Sequence, residues 1–269
     1  MKKYKLGIIG VGVMGQSILH CAIEKKVLQK EQIALFDVSK SQLDAFQDSF
    51  TCLDSARELL NLCEYVLVSI KPQHFGDLLQ QATIPDDVIL LSIMAGITIQ
   101  SIRRQTDSTC GITRIMPNTP CRLGYGMCAL CFDQVNNDQK VFVKSLFASC
   151  GKTIELEETF FDAVTSVSGS GPAYVYSFID GMIKGGMEGG LTYEQSKILT
   201  LQTFLGTVKM VENSDEPLET LINKVCSKGG TTIEAIRTFR DHQLEQIIIE
   251  GMNACRNRSK ELSKANETR

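Results

Sequence analysis

No hydrophobic stretch in this 269-residue chain is long enough to cross a bilayer. The longest, Val88 to Ile97, falls well short of the roughly 18 residues that a membrane-spanning helix needs. Basic excess is lacking too: 28 Lys and Arg face 31 Asp and Glu, a net charge of −3. General attraction to nucleic acid or an anionic membrane surface is thereby excluded, and a small molecule is the expected partner. Histidine is scarce, with three residues. His20 and His242 fall in helical stretches and His74 has no partner evident in the sequence, so nothing points to a histidine acid or base. Repeats and low-complexity linkers are absent. Met1-Lys2-Lys3 runs straight into a strand pattern without a signal-peptide apolar region, which makes the cytoplasm the expected location.

What the chain has is the composition of an ordinary globular protein, 43% hydrophobic and 22% charged, at a length that suits two domains. Its ten cysteines are scattered. The one CxxC, Cys128 and Cys131, sits in a strand-like run, where an odd offset turns the thiols to opposite faces. No metal is expected; the thiols read as small, reduced, apolar residues. Asn266-Glu-Thr268 matches a glycosylation acceptor in form only, since nothing indicates secretion.

Tyr4 to Ile9 reads as a buried strand and ends in Gly10-Val11-Gly12-Val13-Met14-Gly15, followed by a helical stretch from Gln16 to Lys26 and a second strand, Ile33 to Phe36, closing on Asp37. GxGxxG alone is a weak signal. Between a strand and a helix, with an acidic residue after the next strand, it is a dinucleotide fingerprint. Gly10 permits the turn, Gly12 lets backbone approach the pyrophosphate, and Gly15 brings helix against strand, while the helix start offers N–H groups to the phosphates. Asp37 can accept both adenosine ribose hydroxyls and would repel a 2′-phosphate, which favours NADH; Ser39-Lys40 would suit NADPH if the carboxylate turned away.

Strands and helices then alternate. Asp54 or Ser55 caps a helix to Cys63, Glu64 to Ile70 is a strand, Pro72 opens a helix, and Val88 to Met94 and Gly111 to Met116 are further strands. This pattern predicts a doubly wound sheet of Rossmann type with ligands beyond the strands' carboxyl ends. There lie Ser69, Lys71 and Pro72, then Ala95-Gly96, then Asn118 in Pro117-Asn-Thr-Pro120, the expected walls of a nicotinamide site. Met127 to Phe132, a helix from Asn136 to Cys150 and Lys152 to Glu157 extend the sheet and close a first domain at residue 159.

From 160 to 269 the pattern is all helical. The stretch from Asp162 to Leu191 reads as a Ser168-Gly-Ser-Gly-Pro-Ala-Tyr174 core followed by a helix, on which Ala173, Ser177, Gly181, Gly185 and Gly189 recur every four positions and form a ridge of minimal side chains. Each glycine in a helix costs about 1 kcal/mol against alanine, a loss that close approach of a second helix, within the chain or across subunits, would offset. Leu191 to Val211 is helical, Glu216-Pro217 starts another helix, and Thr232 to Arg258 reads as one more. Before the last stands Cys226-Ser-Lys-Gly-Gly-Thr-Thr232, which suits either a carboxylate cradle or a plain helix N-cap.

These residues resemble the pyrroline-5-carboxylate reductases along nearly the whole chain. The resemblance is carried by the glycine fingerprint, Ile70-Lys-Pro72, Ala95-Gly-Ile-Thr98, Asn118-Thr-Pro120, Ser168-Gly-Ser-Gly-Pro-Ala-Tyr174 and Lys228-Gly-Gly-Thr-Thr232. It implies reduction of a cyclic imine to proline by NADH or NADPH, the last step of proline biosynthesis. It also implies a C-terminal domain that interlocks with its twin in a homodimer, with dimers often assembling further. On this basis Ser227, Gly229, Gly230 and Thr231 are expected to hold the substrate carboxylate, and Thr232, the expected catalytic residue, to bond the ring nitrogen. Two departures stand out: Lys228 replaces the family's usual proline, and Asp37-Val38 stands where Asn-Arg is common. A β-hydroxyacid dehydrogenase, with Lys184 as base, and a non-catalytic NADH-binding sensor are the alternatives.

Overall fold

The computed structural model describes residues 2–267. Thr268 lies outside them, and with it the Asn266–Thr268 acceptor sequence. In chain order the first elements are β1 (Tyr4–Ile9), α1 (Val13–Glu24), β2 (Ile33–Phe36), α2 (Lys40–Leu43), β3 (Thr51–Cys52), α3 (Ala56–Leu62), β4 (Cys63–Val68), α4 (Phe75–Gln81), β5 (Ile89–Ser92), α5 (Ile99–Thr106) and β6 (Gly111–Met116). There follow β7 (Gly126–Asp133), α6 (Asn137–Ala148), β8 (Gly151–Glu155) and α7 (Phe161–Val164). The remaining helices are α8 (Gly171–Glu188), α9 (Tyr193–Glu212), α10 (Leu218–Val225), α11 (Thr231–Asp241) and α12 (Leu244–Glu267).

The strands form one sheet in the order β3-β2-β1-β4-β5-β6-β7-β8, with β7 antiparallel to β6 and the other neighbours parallel. Strand order reverses direction between β1 and β4, the switch point where an open α/β sheet leaves a crevice for ligand. Helices cover both faces, so the central strands are largely apolar and their residues alternate between two cores. Tyr65 and Leu67 point to the layer with Ile18, Leu19, Leu146 and Phe147; Val66 and Val68 point to the layer with Leu59, Leu60, Phe75 and Ile102. Each such side chain contributes about 1.5–3 kcal/mol on burial. The alternation also separates the CxxC thiols: Cys128 joins the first layer and Cys131 packs on the second. Ser55 is the cap of α3, its hydroxyl accepting from Glu58 N at 3.2 Å. The two-residue β3 has no counterpart in the expected strands, being too short to show an alternation.

The chain divides into two compact units, Met1–Ser170 with Cys255–Arg269, and Gly171–Ala254. Residues 160–170 and 255–269, expected in the helical domain, therefore belong to the first. Two stretches of the C-terminal part are each interrupted. Between α7 and α8 the backbone widens into a π-turn, Thr165–Gly169, closed by Ser170 N–H to Thr165 O at 2.8 Å. Pro172 is the cause: it has no N–H to offer the Ser168 carbonyl, so an ordinary helix cannot run through it. The stretch from Thr232 to Arg258 also breaks, with His242 ending α11 and Gln243 adopting a left-handed φ of 53° before α12.

Within the helical unit α8 packs against α9, where Gly186 meets Ser196 so closely that an added Cβ would lie 2.6 Å from its Oγ. The small-residue ridge is not that contact. Ala173, Ser177, Gly181, Gly185 and Gly189 are all exposed, and a Cβ at Gly181 or Gly185 would meet nothing within 4 Å. Ile183 is the single buried apolar side chain from Gly171 to Ala254.

Candidate active site

The glycine loop has the three-part geometry its spacing predicts. Gly10 lies at φ +92°, where a Cβ would press on Ile70 and the Ser69 carbonyl. At Gly12 a Cβ would meet nothing within 4 Å, so the backbone there is open to a ligand. At Gly15 it would collide with the Gly10 carbonyl and Ser69 Oγ, which themselves share a short hydrogen bond. Gly12 is the N-cap of α1 and supplies no side-chain cap, so the first N–H groups, at Val13, Met14 and Gly15, face the loop without a side-chain acceptor. Such a helix start receives a phosphate.

Asp37 stands immediately beyond β2, and each carboxylate oxygen already accepts one backbone N–H: Val11 to Oδ2 at 2.8 Å and Ser39 to Oδ1 at 2.9 Å. The carboxylate thus tethers the glycine loop to the β2 end, with a lone pair left on each oxygen for a ribose hydroxyl. Beside it is a cavity of about 370 Å³ lined by Phe36, Asp37, Ile70, His74, Asp77 and Leu78. Of these, Asp77 and Leu78 carried no mark in the sequence. The signal was the turn after Lys71-Pro72: His74 does have a partner, Asp77, three residues on, with Nδ1 3.3 Å from Oδ2. Lys71 caps the short helix Pro72–His74, with Pro72 at its first position.

Asn118 follows β6 and both polar atoms of its side chain are bonded: Oδ1 accepts from Met127 N at 2.9 Å, and Nδ2 donates to Ser168 O at 3.1 Å. Ser168 O is the carbonyl that Pro172, four residues on, leaves unpaired. The Asn-Thr-Pro and Ser-Gly-Ser-Gly-Pro motifs are therefore one construction, in which the amide of Asn118 satisfies the backbone that Pro172 opens. Asn118 braces the crevice with both polar atoms of its side chain. Gly10 to Gly15, Asp37, Ser69 to Pro72, Ala95 and Asn118 stand together along the carboxyl ends of β1, β2, β4, β5 and β6.

In the helical unit, Ser227 to Gly230 form a tight turn, with Gly230 N–H donating to Ser227 O at 3.0 Å and Gly229 at φ +72°. Lys228 occupies the second position, the one at which proline pre-sets a type II turn. Gly230 N–H is thus spent on the turn and is not a free donor. Its missing side chain matters more, since a Cβ would strike Ser227 Oγ. Of the two readings of this segment, a side-chain N-cap is not what forms: Gly230 is the N-cap of α11, no hydroxyl caps it, and Thr231 and Thr232 are the first two helical residues. Lys184, the alternative base, is exposed and bonded to Asp180 Oδ2 at 2.5 Å. That carboxylate raises its pKa, the opposite of what a base working near neutrality requires.

Family models match two parts of the chain. The family model for pyrroline-5-carboxylate reductase dimerisation matches residues 158–262, and that for NADP oxidoreductase, coenzyme F420-dependent, matches residues 5–96. The pyrroline-5-carboxylate reductase of Synechocystis sp. is 36% identical over 97% of this chain and 98% of its own. That of Escherichia coli is 32% identical over 97% of this chain and 99% of its own. Among solved structures, the Plasmodium falciparum pyrroline carboxylate reductase with NADP bound superposes with a TM-score of 0.89 at 32% identity, covering 98% of this chain and 99% of that one. On these grounds the chain belongs to the pyrroline-5-carboxylate reductase family.

Proposed function

We propose that this chain reduces 1-pyrroline-5-carboxylate to L-proline with NAD(P)H, the last step of proline biosynthesis. The observation that carries the reading is the pair of helix starts left without side-chain caps, at Gly12 and Gly230, in a chain similar to these reductases from end to end. The first suits a pyrophosphate and the second a carboxylate, the two anions this reaction must hold. When bound, the reduced nicotinamide supplies the hydride. Val11 to Gly15, Asp37, Ser69, Lys71, Pro72 and Ala95 form the dinucleotide site, with Asn118 holding its floor. The substrate carboxylate is received by the N–H groups of Gly229 and Thr231 and the hydroxyl of Ser227, in space that Gly230 keeps clear. Thr232 places its hydroxyl on the ring nitrogen. A protonated iminium is already electrophilic, so orientation supplies much of the catalysis, roughly 7–11 kcal/mol in favourable cases.

Asp37 favours NADH, because its carboxylate is fixed by two backbone donors and cannot turn away from a 2′-phosphate. The helical unit Gly171–Ala254 acts as the dimerisation and substrate domain and the other unit as the dinucleotide domain, and the protein works in the cytoplasm as a homodimer built on the helical unit, from which larger assemblies form. The test is oxidation of NADH and of NADPH with pyrroline-5-carboxylate. Oxidation of both, NADH preferred, is expected; oxidation of neither would overturn the proposal.

A further inference from the structure

The turn that follows β5 is held by a residue far from it in sequence, to which no reductase motif points. Ile97 N–H donates to Met94 O at 3.4 Å, and between them Gly96 lies at φ +72°, with Ala95 exposed and Gly96 buried. The cover over Gly96 is the end of α12. Asn266 Nδ2 donates to Gly96 O at 3.1 Å, and a Cβ at Gly96 would come within 3.3 Å of that nitrogen and 3.5 Å of Leu262 Cβ. Asn266 is itself fixed, because Ser101 Oγ of α5 donates to its backbone carbonyl at 3.2 Å. Farther along the same loop Ile99 N–H donates to Glu158 Oε1 at 2.8 Å, and that oxygen also takes Arg114 Nη1 at 2.9 Å. The loop is thus pinned at Gly96 and at Ile99, all within one compact unit.

We propose that Asn266 is a positioning residue for hydride transfer: by fixing the Gly96 carbonyl it sets the Ala95-Gly96 turn that walls the nicotinamide end of the dinucleotide site. This rests on the reading of Ala95 as a cofactor contact. Glycine at positive φ has several conformations of nearly equal energy open to it, so the turn has no local reason to keep one. The amide of Asn266 supplies that reason from 170 positions away in the chain. A ring held less closely reaches the near-attack geometry less often, and the effect falls on turnover more than on capture of the imine.

The test compares full-length wild type with Asn266→Ala, Asn266→Asp and Asn266→Gln, measuring kcat, KM for pyrroline-5-carboxylate, NADH dissociation constant by fluorescence titration, and Tm. Loss of one neutral hydrogen bond predicts a fall in kcat of roughly fivefold to tenfold in Asn266→Ala. Asn266→Asp, which sets a carboxylate oxygen against the Gly96 carbonyl, should fall at least as far, and Asn266→Gln, which keeps the amide donor, should recover part of the loss. KM for the imine and Tm should stay near wild type. A lowered Tm with kcat of the folded fraction intact, or unchanged kcat and NADH affinity in both Ala and Asp variants, would overturn the inference. If the variants at Asn266 fail to fold, Ser101→Ala frees the same residue from the other side, and an unchanged kcat there overturns it equally. An inactive wild type would defeat the proposed activity instead, and the NADH dissociation constants of the variants would then decide the inference alone.

Discussion

The two compact units solve the problem of stability in opposite ways. In the first, both faces of the sheet are covered by the chain's own helices, and side chains such as Leu6, Ile8, Leu67 and Phe147 are at most 2% exposed. In the second, five helices or parts of helices leave Tyr176, Ile198, Leu205 and Ile247 each more than half exposed, and Ile183 alone is buried among the apolar side chains. Apolar area removed from water is the main favourable term in folding, so the first unit closes by itself and the second is completed by burial elsewhere. The dimerisation model matches residues 158–262, a span that contains the second unit. The lesson for the small-residue ridge is geometric: contact within the chain is made by Gly186, one position off the ridge, and Gly181 and Gly185 are left open for a second chain.

The largest expected effect breaks this comparison at its centre. Gly185→Leu adds four side-chain carbons where a single chain has free space, so an isolated subunit would tolerate it and gain helix propensity. Against a second chain it overpacks, at a cost of about 1–3 kcal/mol and sometimes more. We expect a lowered Tm, dissociation in sedimentation and loss of activity; a variant with wild-type mass and Tm would place the ridge in solvent.

Next in size, Thr232→Val should lower kcat roughly tenfold, as loss of one hydrogen bond to the reacting ring implies, and leave NADH affinity unchanged. A parallel fall in NADH affinity would assign the α11 start to the dinucleotide instead. Asp37→Ser should move the ratio of kcat/KM values toward NADPH by about tenfold, equivalent to 1.4 kcal/mol. Because Asp37 also tethers Val11, affinity for both nucleotides should drop together with that shift. An unchanged ratio would remove Asp37 from the specificity site. The smallest effect sharpens the contrast between the two glycine faces: Gly186→Ala meets Ser196 inside the chain and should lower Tm modestly without altering subunit mass, whereas a change of mass would mean that α9 is not what covers this face.

Much of the first unit was legible because its signals are local. The glycine spacing, Asp37 after a strand and the alternating strand pattern each state a backbone requirement within a few residues. The π-turn was not legible, since the Ser168 carbonyl that Pro172 leaves unpaired finds its donor in Asn118, a partner that only the fold brings near. Gln243 adopts its left-handed φ without the glycine that usually announces such a position, so one long helix was expected where there are two. The His74–Asp77 wall of the cavity and the Asn266 pin at Gly96 depend in the same way on distant partners or on side-chain direction. In the second unit the every-fourth-residue ridge suggested an interface, but the contact made within the chain falls on its neighbour Gly186.

The central claim is that the helical unit is finished by a second copy of itself. Sedimentation equilibrium of the wild-type chain across a wide range of concentration tests it most directly. The account predicts a dimer or a multiple of one, with any dissociation accompanied by unfolding of the helical unit and loss of activity. A folded monomer that retains full turnover would contradict it.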